Sequence, residues 1–218
     1  MASLATLVLD LDGTLVDSLP DLTAALNRLM TARGLPGLVA ASVAPMVGDG
    51  VTKLVERAFA ARSVEAQRRD IDAFAADYTA HATEATRLYP GVEETLAHLK
   101  QSGWQFAICT NKTMAATQAV LEALGLRHWF AALGCGDSFA FRKPDPAHLI
   151  ATLQVARGDP KRAVMVGDHA NDIAAASGAG IPSIFAAWGY GAPSMAAGAS
   201  AIGTRFTDLV DLAPRLLP

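Results

Sequence analysis

LVLDLDGTLVDS, residues 7–18, decides how the rest of the chain is read. Leu7, Val8 and Leu9 form an apolar run of the kind found in a buried parallel strand. The run drives into Asp10 and Asp12, and Gly13 and Thr14 turn the chain behind them. Side chains two apart on a strand project to the same side. Two carboxylates so placed repel unless a cation lies between them or one keeps a proton. Hard oxygen donors in an open arrangement suit Mg²⁺. On its own the pair reads better as an acidic turn.

Beyond this stretch, short β-rich apolar runs alternate with helical patterns. Strands are expected at Leu4–Asp10, Gln105–Thr110, Ala131–Cys135, Ala163–Val166 and Pro182–Ala186, and helices at Val92–Lys100, Thr113–Leu124, Pro146–Ala156 and Asn171–Ser177. Such alternation predicts an α/β fold with a mostly parallel sheet and helices on both faces. Residues 19–86 interrupt the alternation. Leu22, Ala25, Leu26, Leu29 and Met30 recur at helical spacing, as do Val51, Leu54, Val55, Ala58 and Phe59, and then Ile71, Phe74, Ala75 and Tyr78. The turn signal Tyr89-Pro90-Gly91 marks the return. The expected organisation is an α/β core domain from 1–16 and 88–218, with an inserted small α-helical cap domain over 17–87. Hinges near Asp17–Ser18 and Leu88–Gly91 would let the cap gate water and substrate.

Composition narrows the function classes. The chain has 218 residues, 51% of them hydrophobic, enough to bury a substantial core. A net charge of −3 without a basic block argues against nucleic acid or an anionic membrane as partner. Residues 173–204 carry no charge, but glycines and prolines break the stretch well short of the roughly 20 apolar residues of a membrane span. Cys109 and Cys135 lack CxxC spacing and read as reduced thiols. With no signal-peptide pattern at the start, the expectation is a cytoplasmic protein, a monomer or homodimer.

Open parallel sheets bind ligands outside the carboxyl ends of their strands, and three more expected strand ends carry chemistry. Thr110 and Asn111 precede a helix, with Thr113 as the expected N-cap; hydroxyl, amide and free N–H groups there suit a phosphate or simple capping. Lys143 stands before Pro144, which directs its backbone, and Asp145 caps the helix opening at Pro146. Its ammonium can neutralise a phosphate or carboxylate, or it is a solvated surface lysine, as Arg142 beside it is expected to be. In MVGDHANDI, Asp168 and Asp172 fall four apart, on one face of a starting helix; acids there also favour the helix dipole. Acids at two strand ends need a cation more clearly than one pair does. The five histidines are scattered and exclude the common zinc spacings; His169, beside Asp168, is expected at the surface.

Together the four strand ends resemble the haloacid dehalogenase (HAD) superfamily of phosphatases: DLDGT its first motif, Thr110 its second, Lys143 its third and GDHAND its fourth, in order over the whole chain. The helical block falls where that family carries its small cap, on a Rossmann-like core. The resemblance implies Asp10 as nucleophile and Asp12 as general acid and then base. It implies Mg²⁺ on Asp10, the Asp12 backbone carbonyl and Asp168, with Asp172 orienting the metal shell. Thr110 and Lys143 would hold the phosphoryl oxygens.

A narrower resemblance, to bacterial phosphoglycolate phosphatases, rests on DLDGTLVDSLPDL, VGDGVTKLVERA, YPGVEETLAHLK, TNK and GYG. It implies hydrolysis of 2-phosphoglycolate to glycolate and phosphate. His169 departs from the small polar residue usual at its position, and 63–87 matches least. A glycolate carboxylate would want a cation or backbone N–H groups. Lys53, and less so Arg57, are candidates on the cap helix, and Gly48 and Gly50 could bring backbone close to the ligand. The alternatives are the same chemistry on a sugar phosphate or pyrophosphate, a phosphomutase, or a non-catalytic binding protein on this fold.

Overall fold

The computed structural model describes residues 4–218; positions 1–3 of the expected core segment lie outside them. β1 (Ala5–Leu9) is buried at every position. Its alternate side chains enter different layers: Leu7 and Leu9 pack with Phe106, Ile108, Val164 and Val166, and Val8 packs with Ala107, Met165 and Leu149. A strand buried on both faces must read as a continuous apolar run, which is why residues 7–9 carry no polar alternation.

The chain then turns into β2 (Val16–Asp17) and runs through α1 (Leu19–Ala32), α2 (Ala40–Val43), α3 (Val51–Ala60) and α4 (Arg68–His81) before returning as β3 (Arg87–Leu88). β2 and β3 pair antiparallel, so the insertion leaves and re-enters through a two-stranded ribbon. Asp21, in the first turn of α1, closes its base. The buried carboxylate accepts from Ala85 N–H, Thr86 N–H and the Thr86 hydroxyl at 2.7–3.1 Å. Leu26, Met30, Val55, Phe59 and Phe74 of the insertion share one apolar cluster with a face of the sheet.

The remainder alternates: α5 (Val92–Gln101), β4 (Trp104–Cys109), α6 (Met114–Ala123), β5 (Phe130–Gly134), α7 (Pro146–Val155), β6 (Ala163–Gly167), α8 (Ala170–Gly178), β7 (Ser183–Ala186), β8 (Ala201–Gly203) and α9 (Leu209–Arg215). Six strands form one sheet in the order β5-β4-β1-β6-β7-β8, with every pairing parallel. Leu96, Val120 and Leu209 of α5, α6 and α9 cover one face; Leu149, Leu153 and Ala176 of α7 and α8 cover the other. The order reverses at β1, with β4 and β5 on one side and β6 to β8 on the other. That switch point opens a crevice at the carboxyl ends of β4, β1 and β6.

The expected strands and helices are present to within about a residue at most ends, inside the usual spread of boundary assignment. Absent from the expectation were the two-residue ribbon, α2, α9 and β8. The last lies in the charge-free stretch 173–204, which otherwise holds most of α8, then β7 and short turns. Among the described residues no helix is long and apolar enough to cross a membrane.

Candidate active site

Asp10 follows β1 directly, and its N–H still donates to Val166 O at 2.9 Å, extending the sheet ladder by one residue. The side chain is thereby fixed in the crevice. Asp168 follows β6, and Asp172 sits in the first turn of α8, where its Oδ2 accepts from His169 N–H at 3.0 Å. Oxygens of Asp10, Asp168 and Asp172 all lie within 4.8 Å of one another, and all three residues are buried. Gly13 lets the loop behind Asp10 come against this cluster. Its φ is +80°, and a Cβ there would fall 2.2 Å from Asp168 Oδ2. Thr14 Oγ1 and Tyr190 N–H donate to Asp168 at 3.3 and 2.8 Å.

Lys143 is the cation of this cluster. Its side chain is 1% exposed, with Nζ 2.9 Å from Asp10 Oδ1 and 2.6 Å from Asp172 Oδ1. The solvated alternative is therefore wrong for Lys143, whereas Arg142 is exposed as expected. The Lys143–Pro144 peptide is cis. Asp145 caps α7 through Ala147 N–H at 2.9 Å. Buried His148 accepts from Lys143 N–H at 3.1 Å, and burial, then the Lys143 charge, lowers its pKa to about 4. Burial alone would favour a neutral Lys143, but Asp10 and Asp172 outweigh it and raise its pKa.

One cation does not balance three carboxylates. Burial first, then the charges of Asp10 and Asp172, push Asp168 up to about 8. Burial also raises Asp172, against the pull of Lys143. Buried Asp10 Oδ1 forms no hydrogen bond, its close approach to Lys143 being misaligned for one. Three convergent carboxylates with an unsatisfied oxygen are a donor set that fits a hard divalent cation.

Asp12 lies on the cleft side. Its Oδ1 accepts from Ser18 Oγ at 2.6 Å, and Lys112 Nζ reaches Oδ1 and Oδ2 at 2.9 and 3.0 Å. Thr110 ends β4, its N–H bonded to Gly134 O at 2.8 Å. Asn111 Nδ2 donates to Lys143 O at 2.9 Å and to Gly48 O at 3.0 Å. Thr113 does not cap α6 with its hydroxyl; Asp137 takes Met114 N–H at 2.8 Å instead.

The helical insertion roofs the crevice. Gly48 (φ +118°) lies against His169, where a Cβ would stand 2.6 Å from the ring. At Gly48 it is the carbonyl that is engaged, by Asn111. Asp49 accepts from Asn171 Nδ2 at 2.6 Å and pairs with Arg57. His169 is accordingly half-buried and caps α8, accepting from Asn171 N–H at 3.2 Å, rather than lying free at the surface. Between roof and core lies a cleft of about 620 Å³, counted out to its mouth and lined by Asp10, Asp12, Thr110, Asn111, Lys112 and, from the insertion, Gly48, Gly50, Phe74 and Tyr78.

The structure thus brings Asp10, Asp12, Thr110, Asn111, Lys143, Asp168, Asp172 and Gly48 to one crevice. It does not bring Lys53, which is exposed, pairs with Glu56 at 2.7 Å and stands outside the lining. Arg57 is spent on Asp49 and Met46 O. Sequence reasoning missed Lys112 and Tyr190. Lys112 lies three residues past Cys109, the last residue of β4, within the TNK stretch, and that stretch was the signal. Tyr190 Oη accepts from Ser18 and Leu19 N–H and donates to Asp17 Oδ1, at 2.7–3.0 Å.

The sequence that builds this crevice matches a family model. The haloacid dehalogenase-like hydrolase model covers residues 4–180. The chain belongs to this family. Among its relatives, the phosphoglycolate phosphatase of Agrobacterium fabrum is 46% identical over 187 residues, covering 84% of this chain and 80% of that protein. The phosphoglycolate phosphatase of Mesorhizobium japonicum is 45% identical over 188 residues, covering 84% and 83%. A crystal structure from Haemophilus somnus, described as a predicted phosphoglycolate phosphatase, superposes with a TM-score of 0.88 at 32% identity, covering 97% of this hydrolase and 99% of that chain.

Proposed function

We propose that this hydrolase is a Mg²⁺-dependent phosphatase acting on a small phosphate monoester through an aspartyl-phosphate, with 2-phosphoglycolate as the leading substrate. The observation that carries the reading is Asp10. Its carboxylate ends the central strand, is steadied by Lys143, lies within 4.8 Å of two further carboxylates and forms part of the cleft wall. The names of the relatives support the substrate.

An Asp10 oxygen attacks phosphorus, forming the acyl phosphate as the ester P–O bond breaks. Asp12, on the cleft side, gives its proton to the departing ester oxygen, and then takes one from the water that cleaves the acyl phosphate. That second attack frees inorganic phosphate and restores Asp10. Lys143 and the hydroxyl and backbone groups at Thr110 and Asn111 offset charge on the phosphoryl oxygens. Mg²⁺ would be held by Asp10, the Asp12 backbone carbonyl and Asp168, with Asp172 supporting the set, and when bound supplies the countercharge that lets a carboxylate approach a phosphate. Residues 17–87 act as a cap over a core of 1–16 and 88–218, hinged near Asp17–Ser18 and Leu88–Gly91. Every residue in this reading comes from one chain. The free, buried Cys109 and Cys135 favour a reducing compartment such as the cytoplasm.

The test is phosphate release from a panel of esters in Mg²⁺, with an Asp10→Asn control. The reading expects release from 2-phosphoglycolate well above sugar phosphates and pyrophosphate, and none from the control. Asp10-dependent release led by another ester would replace the substrate and keep the chemistry. No release from a folded protein would overturn the phosphatase reading.

A further inference from the structure

We infer that Lys112, seconded by Tyr78, is the subsite for the substrate carboxylate and sets the preference for an acid-bearing ester. The inference rests on the phosphatase reading above. In 2-phosphoglycolate a single methylene separates the ester oxygen from the carboxylate. If Asp12 reaches that ester oxygen, the carboxylate must fall on whatever flanks Asp12 along the cleft. Lys112 Nζ touches both Asp12 oxygens, and Tyr78 Oη lies 2.6 Å beyond it.

The other cations near the site are committed or outside. Lys143 is enclosed between Asp10 and Asp172, Arg57 serves Asp49, and Lys53 faces Glu56 in solvent. Lys112 is the one lysine or arginine among the described residues lining the cleft. An ammonium has three donors, and the two Asp12 oxygens and Tyr78 Oη take all three, so a ligand carboxylate takes over the donor now given to one Asp12 oxygen. Tyr78 accepts from Lys112 and keeps its own proton to give. The Lys112 side chain is 6% exposed, and a desolvated charge attracts a carboxylate far more strongly than a solvated one. Tyr78 comes from α4 of the insertion and Lys112 from the loop between β4 and α6, so the subsite is assembled only where cap and core meet.

The experiment compares 2-phosphoglycolate with 2-hydroxyethyl phosphate, in which a hydroxymethyl group replaces the carboxylate, on the intact protein in Mg²⁺. The wild type should favour the acid. In Lys112→Gln the ratio of the two kcat/KM values should fall at least tenfold, mainly through KM for the acid, while Lys112→Arg retains most of it. Glycolate should inhibit hydrolysis of the hydroxyethyl ester by the wild type and lose at least tenfold in potency against Lys112→Gln. The ratio is independent of how much of a variant is folded. Tyr78→Phe should move it in the same direction by less. Equal losses for both esters, including total loss, or an unchanged glycolate inhibition would overturn the inference and leave the phosphatase reading standing. A wild type that hydrolyses neither ester removes the reading beneath it, and the subsite falls with it.

Discussion

Replacing Asp21 with alanine should loosen the base of the helical insertion by a calculable amount. The Asp21 carboxylate is 3% exposed and takes two backbone N–H groups and a hydroxyl from Ala85 and Thr86. In Asp21→Ala the exposed Ala85 N–H turns to water, but Thr86 is fully buried, so its N–H and hydroxyl lose their acceptor. An unsatisfied buried donor costs about 1–3 kcal/mol. Removing a buried carboxylate returns part of that, for a net loss of about 3 kcal/mol. In a chain of this size each ~1 kcal/mol moves Tm by about 2–4 °C, so the fall should be about 6–12 °C. Thermal unfolding by circular dichroism measures it, with Asp72→Ala as control, since its pair with Arg68 is exposed. Hydrogen exchange should show lost protection at Thr86. A fall under about 2 °C would mean that water serves Thr86 as well as Asp21 does, and the reasoning would fail.

Gly48→Ala drives a Cβ into the His169 ring at a φ of +118°, so the insertion cannot seat as it does; kcat/KM should fall at least about tenfold and Tm by a few degrees, and an unaltered rate would show that the loop does not need this contact. Asp168→Asn removes one of the three convergent carboxylates and should raise the Mg²⁺ concentration for half-maximal rate by about 10–100-fold; chelation should abolish wild-type turnover, and metal-independent release would refute the donor set. Burial opposes ionisation of Asp70, but Gln67 N–H and Arg33 outweigh it and hold its folded pKa below the ordinary 3.8. The stability this gives is complete above that value and is lost as pH falls through the folded pKa. The gap in urea midpoint between wild type and Asp70→Asn should therefore close on acidification below 3.8, and a constant gap would exclude the linkage.

Much of the fold was legible because buried parallel strands announce themselves. Residues 5–9 and 163–167 read as apolar runs, since helices cover both faces of the sheet, and each run stops at the acid it presents. The β2–β3 ribbon has two residues a side and therefore no period to read. β8 sits among alanines, glycines and serines that favour no state. Candidate residues set by strand position (Asp10, Asp12, Thr110, Asp168) were legible because topology alone carries strand ends to one crevice, and Lys143, from the loop before α7, was legible from its motif. Those set by tertiary meetings were not. Lys112 has no role of its own within TNK until α4 brings Tyr78 over it, and Lys53 reads as a ligand until Glu56, three residues on, is seen to hold it. His169 reads as exposed until Gly48 of a distant loop closes on its ring.

Tyr190 has a consequence of its own. Its hydroxyl grips Asp17 and the amides of Ser18 and Leu19, where the insertion begins, while its backbone N–H steadies Asp168. Any displacement of the start of α1 must either break the hydroxyl contacts or move the residue that holds Asp168. One residue therefore ties the start of the insertion to the carboxylate cluster, so a change at Tyr190 is felt at both.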